Sequence, residues 1–372
     1  MGNGKGRSTA DKRYGGVVRW AMDRDSQSIL MSCKNSMITW PPPAKALCGV
    51  LAMLSVLLIL FPEARAARPE TFSVASIKEK FDLGKYQEII ALLKAALAQE
   101  PQNSSLAFWL MRGYYELDMM EEAVTYGERA VNSEPSNSDY HLWLGRAYGR
   151  KAEKGLSFSF ARKTRAEFEK AVELDSSNLP ARRDLMEFYL EAPWVLGGGK
   201  DKGWRQAEAI AEIDPVEGCL ARGFYWRNLG KLDSAEAEYA RVLESKPKRI
   251  EPYFEVADFY LKHPDGSRLE AAIEAAADIE ARDCRLDYYR GVAGFLSRKD
   301  LGSAEQYLKT YLSTAPPRHD LPSRASAHVW LGRIYEQQAQ RGLSAEQYKA
   351  ALELEPGRKD AREGLRRTSR KP

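Results

Sequence analysis

Beyond residue 67, apolar and polar positions nowhere settle into the two-residue alternation of a half-buried strand. They fall at helical spacing instead. Leu144, Gly145 and Tyr148 occupy i, i+1 and i+4, so they line one face of a helix, and the absent side chain of Gly145 lets a second helix approach closely. Ala123 and Ala130 offer small contacts on a partner helix, which Pro135 ends because proline cannot continue the hydrogen-bond ladder. Helix is expected to be nearly the only regular structure after Ala67.

One segment has a different pattern. Ala46 to Phe61 reads ALCGVLAMLSVLLILF, without a charge and directly after Lys45. The run is somewhat short for a spanning helix, which needs roughly 20 residues, and Ala64-Arg65-Ala66 supplies the small residues a signal peptidase accepts. Residues 44–66 are therefore expected to be a signal peptide cut before Ala67, with an uncleaved membrane segment through residues 46–61 as the rival reading. Residues 1–43 carry no sustained apolar period and are expected to be unstructured, with Met31 or Met37 as alternative starts.

The helical stripes recur. WLGRAY at Trp143–Tyr148 returns as WLGRIY at Trp330–Tyr335, and stretches such as EAVTYGERAVNSEP, SAEAEYARVLESKP and AEQYKAALELEP close the units that such stripes open. Pro101 and Pro135 stand one period of 34 residues apart. In the last unit Leu331, Gly332, Tyr335, Tyr348, Ala351 and Pro356 take the positions of the tetratricopeptide repeat, which the chain resembles; His141 and His328 hold the usual tryptophan site. The resemblance implies an all-α, right-handed superhelical solenoid of about eight helix-turn-helix units across residues 67–356. The units begin near Glu70, Ser104, Ser138, Leu179, Val216, Ile250, Arg285 and Ala325, and residues 357–372 form a basic capping helix and tail. Each hairpin leaves apolar surface that only the next can bury. Extra residues near 149–165 and 191–204 stretch the third and fourth units, and such insertions in a solenoid gather on one edge, where loops are free to vary.

Composition narrows the chemistry. Hydrophobic residues make up 44% and charged ones 29%, as in a folded protein. The net charge of +4 comes from residues 1–45, which hold eight Lys or Arg against three Asp or Glu, so the remainder sums to about −1 and has no field for nucleic acid. Cys219 and Cys284 remain in the mature part; their pairing is left open, and no C-x-x-C is present. The four histidines have no metal-ligand spacing, and GGGKDK at Gly197–Lys202 lacks the hydroxyl residue and preceding strand of a phosphate loop, so it reads as a flexible elongated turn. No catalytic residue, metal or cofactor is expected.

Binding remains. By resemblance, first-helix positions line a concave groove, which assigns to it Phe108, Trp109, Arg112 and Tyr115, then Trp143, Arg146 and Arg150, then Trp330 and Arg333. Guanidinium forks suit carboxylates, and rings beside them suit extended peptide. The Lys and Asn set of the family's chaperone-type carboxylate clamp is missing, Asn228 being isolated. The expected function is that of a non-catalytic scaffold for a protein or peptide partner, exported to the periplasm. Its rivals are a membrane-anchored assembly factor of the cell envelope and an enzyme built on the two insertions.

Overall fold

The computed structural model describes residues 74–318 and 320–369, and every regular element among them is a helix. The leader at 44–66, residues 1–43, the first unit's start near Glu70 and His319 lie outside the described residues. Two compact units are present. The described chain belongs almost wholly to the one that includes Glu79 to the C-terminal helix, and the other is represented by Val74–Lys78, the opening turns of the first helix.

Seventeen α-helices follow in order among the described residues. Hairpins are formed by α1 (Val74–Asp82) with α2 (Tyr86–Gln99), α3 (Ser104–Glu116) with α4 (Met120–Ser133), and α5 (Ser138–Gly155) with α6 (Phe158–Leu174). Then come α7 (Leu179–Glu191) with α8 (Lys200–Ile213), α9 (Pro215–Asn228) with α10 (Leu232–Ser245), and α11 (Glu251–Lys262) with α12 (Gly266–Ile279). The array ends with α13 (Arg285–Ser297) and α14 (Leu301–Thr314), α15 (Arg324–Gln337) and α16 (Arg341–Leu354), and the single α17 (Lys359–Ser369).

The starts of these helices have a local cause. Asn103, Asn137, Asn178 and Asp214 each cap a first helix, their side-chain oxygens accepting from backbone N–H groups that the helix leaves without partners. Within a hairpin, close approach does the packing. A Cβ on Gly145 would lie 2.6 Å from the Phe168 ring, and one on Gly332 would lie 2.7 Å from Tyr348, so each glycine makes room for a fully buried aromatic of the second helix. Between hairpins, α4 packs on α5, α8 on α9 and α12 on α13, burying what each hairpin leaves open. The last open face is closed by α17, where Ala361 joins Val329, Tyr348 and Ala351 in one cluster.

The stretched units differ from each other. In the third, the extra residues are absorbed as helix: α5 has 18 residues and α6 has 17, against 13 and 14 in α3 and α4. In the fourth, they form a 3-10 turn at Trp194–Leu196 between α7 and α8. That turn is closed by its own backbone hydrogen bonds. Pro193 O accepts from the N–H groups of Leu196 and Gly198, Trp194 O accepts from Gly197, and Gly199 donates to Tyr189 O at 2.8 Å.

Candidate functional site: the face of the first helices

Successive first helices touch each other, α3 with α5, α5 with α7, α7 with α9 and α9 with α11, while the second helices make no comparable contact among the described residues. The first helices therefore form the tighter side of the array. Residues three and four apart on each helix face the same way, so one repeat's guanidinium falls beside the next repeat's ring.

At the N-terminal end this produces a continuous ladder. The Arg112 guanidinium carbon lies 5.1 Å from the Phe81 ring, 5.0 Å from Trp109 and 4.3 Å from Trp143. Arg146 lies 4.6 Å from the same Trp143 ring, and Arg150 lies 4.7 Å from Tyr115, whose ring meets Trp143 edge-on at 5.6 Å. Phe108 turns away from this ladder and stacks on Tyr140 at 4.8 Å, between α3 and α5. Trp330 is buried, donates from Nε1 to Tyr288 Oη at 3.2 Å, and carries Arg333 over its ring at 4.2 Å. Arg333 also approaches Asp360 of the capping helix at 4.0 Å, so this pair has partners of its own, apart from the ladder.

The arginines of the ladder are not equivalent. Arg146 is forked onto Asp184 of α7, Nε donating to Oδ2 at 2.6 Å and Nη2 to Oδ1 at 3.3 Å, and the Asp184 side chain is only 4% exposed. Burial would lower the Arg146 pKa; the carboxylate beside it outweighs that and raises it. Arg150 takes Asp118 at 3.4 Å. Arg112 has no acid within ion-pair distance among the described residues, and its buried Nε has no hydrogen-bond partner. Desolvation pulls its pKa down; the charges that act on it are Glu116 and Arg146 and, from the loop between α14 and α15, Asp320. Neither Arg112 nor Arg146 is exposed, and of the two only Arg146 has a buried acid as its partner.

Further along the same face lie residues that sequence reasoning missed. Arg183 forks onto Glu255 of α11 with both contacts at 2.5 Å and also reaches Glu217 of α9 at 3.1 Å, so one cation ties three first helices. Glu187, one turn beyond Arg183, has its carboxyl pushed well above the usual range by burial and by Asp184. A signal was present: Arg183 and Glu217 are 34 residues apart, so the repeat itself sets opposite charges side by side. Cys219 and Cys284 are free thiols, each half-buried, and burial raises both. Among the described residues no group of three or more His, Cys, Asp or Glu could hold a metal ion.

The tetratricopeptide repeat profile matches residues 80–148 and again residues 325–358, two stretches whose helices pair and stack as described above. The chain carries tetratricopeptide repeats in both stretches. Its fold is similar to that of yeast Tom70, with a TM-score of 0.53 at 12% identity over 76% of this chain and 58% of that one. Matches also include a tetratricopeptide repeat protein from Parabacteroides merdae, at 16% identity, TM-score 0.45, over 72% of this chain and 100% of that one. A thermophilic protein of the same kind from Thermus thermophilus matches at 21% identity and TM-score 0.42, over 50% of this chain and 96% of that one. No curated protein matches the chain. Repeats of this kind make protein–protein interaction scaffolds, and the fold is in general non-catalytic.

Proposed function

We propose that this tetratricopeptide repeat protein is an exported scaffold which holds a protein or peptide segment on its first-helix face, with Arg112 receiving a carboxylate of that partner. The observation that carries this reading is the state of Arg112: rings stand against its guanidinium, and its buried Nε lacks an acceptor, although Arg146 and Arg150 beside it each have an acid. A cation desolvated by rings gains more from a carboxylate than one in water, since the local dielectric is low and the fork geometry is already fixed. Export rests on the apolar run at Ala46–Phe61 and on Ala64 and Ala66 after it.

Arg112→Ala is expected to lose capture of acidic peptides from a displayed library while remaining folded. Equal capture by both proteins overturns the groove reading. Mass spectrometry of the protein recovered from the periplasm tests export: an N-terminus at Ala67 supports it, whereas peptides spanning Ala66 and Ala67 favour the anchored rival.

A further inference from the structure

The turn inserted between α7 and α8 presents a tryptophan to solvent on a rigid base. Trp194 is 85% exposed and Val195 is 52% exposed, while the next residue, Leu196, is buried as the plug that holds the turn down. The base is stiff for steric reasons. Gly197 has φ of +93°, and a Cβ on Gly198 would fall inside the Ala192 carbonyl oxygen. Arg165 Nη1 of α6 donates to Leu196 O at 3.0 Å, and Lys202 Nζ donates to Gly197 O at 3.0 Å. The Trp194 side chain, held out this way, meets no ring and no hydrogen-bond partner among the described residues.

The third unit's insertion lies alongside. Phe158, Arg162 and Arg165 follow at i, i+4 and i+7 on α6, one stripe of about 10 Å, and its far end is the arginine that touches the turn. Phe158 is 50% exposed. Residues 151–165 and 193–205 together carry eight Lys or Arg against Glu153 and Asp201, in a chain that sums to about −1 after residue 45. Some of these cations are spent within the fold: Lys151 on Glu121, Lys154 on Asp118, Lys163 on Glu128 and Arg165 on Glu169. Lys202 is exposed but turned onto Gly197 O and the Tyr189 ring, whereas Arg162 and Lys200 are exposed and have no acid within ion-pair distance among the described residues, although the exposed Asp201 follows Lys200 in sequence.

We infer that this edge docks on an anionic lipid surface, with Trp194 seated in the headgroup layer and Arg162 and Lys200 facing the lipid charges. Tryptophan with flanking cations is the composition that membrane–water interfaces select, because the indole is apolar in body and polar at one atom. The exposed large apolar residues of the two insertions are four, Leu156, Phe158, Trp194 and Val195, against the roughly 20–30 residues a side of a standard protein interface. This surface is separate from the groove, and it stands whether or not the groove reading does.

The test uses the full-length chain with vesicles of phosphatidylcholine, with and without phosphatidylglycerol, the lipids brominated near the headgroup. The protein has eight tryptophans, so the readout is the difference between parent and Trp194→Phe. Vesicles containing phosphatidylglycerol are expected to quench a component of the parent's emission that Trp194→Phe lacks, and Arg162→Glu with Lys200→Glu is expected to weaken that quenching about tenfold in lipid concentration. Quenching equal in the parent and Trp194→Phe overturns the proposal, because binding then runs through another segment such as residues 46–61. A change in sedimentation mass on Trp194→Phe without quenching also overturns it, in favour of a second copy on this edge.

Discussion

Arg112 and Arg146 stand one repeat apart, yet removing them is expected to have unlike consequences. Arg146→Ala leaves Asp184 buried without its fork, and breaking a buried pair from one side costs about 3–5 kcal/mol, which urea denaturation would measure. Arg146→Ala combined with Asp184→Ala should recover part of that loss. Arg112→Ala breaks no ion pair among the described residues and removes ring contacts worth about 0.5–2 kcal/mol. The position of both arginines was legible because the period is strict between the second and third units. The acid that distinguishes them was not, since it sits in the fourth unit, where the repeat pattern is degenerate and displaced by the insertion. His141 permits a pH test. Its ring nitrogens meet Glu167 at 2.6 Å and Pro135 O at 3.0 Å, and the bond to Glu167 is the main reason its pKa rises above 6.5. A raised pKa stabilises fully below the unfolded value and is lost as pH rises through the folded one. Melting temperature should therefore fall for the parent as pH increases above 6.5, and the fall should be smaller in His141→Gln, which keeps the His263 contribution of opposite sign.

At the scale of elements, the hairpins were legible and the turn between α7 and α8 was not. A stripe such as Leu144, Gly145 and Tyr148 needs only its own spacing to predict a helix, and Gly145 with Phe168 turns out to be the close approach that spacing implies. GGGKDK, read alone, suggests a flexible turn, because three glycines restrict nothing by themselves. Their restriction comes from Arg165 on α6 and from the Ala192 carbonyl, which no local pattern can place. The three glycines should consequently differ on substitution. Gly198→Ala drives a methyl group into a carbonyl and is expected to lower stability by more than about 2 kcal/mol, in the range of overpacking and strain. Gly199→Ala is expected to be nearly neutral, since its φ of 173° is extended backbone and a Cβ would touch only the Lys202 side chain at 3.8 Å. Thermal melts of the two variants decide; equal losses would mean that the turn is held by something other than these contacts.

The whole array raises a question that repeats alone do not. In a solenoid each unit touches its neighbours, so stability is close to a sum of unit and nearest-neighbour terms, and a change at one end should not be felt at the other. Here the α1–α2 turn meets the loop between α14 and α15: a Cβ on Gly84 would lie 3.1 Å from the Pro317 ring, and Arg318 reaches Asp82 at 3.6 Å, although some 236 residues separate them in sequence. Arg318 and Asp320 act electrostatically on Tyr86, and Asp320 acts on Arg112, so the loop belongs to the surroundings of the candidate site. Nothing in the sequence pattern signals this contact, because it depends on how small rotations between units accumulate over the array. Arg318→Glu sets a like charge against Asp82 and should loosen the contact without unfolding either hairpin. Hydrogen exchange is then expected to quicken at the backbone amides of residues 83–86, which are far from the substitution in sequence, while amides of α7 to α10 keep their protection. Quickening confined to the neighbourhood of Arg318 would mean that the array behaves as a linear solenoid and that its first unit folds without reference to the seventh.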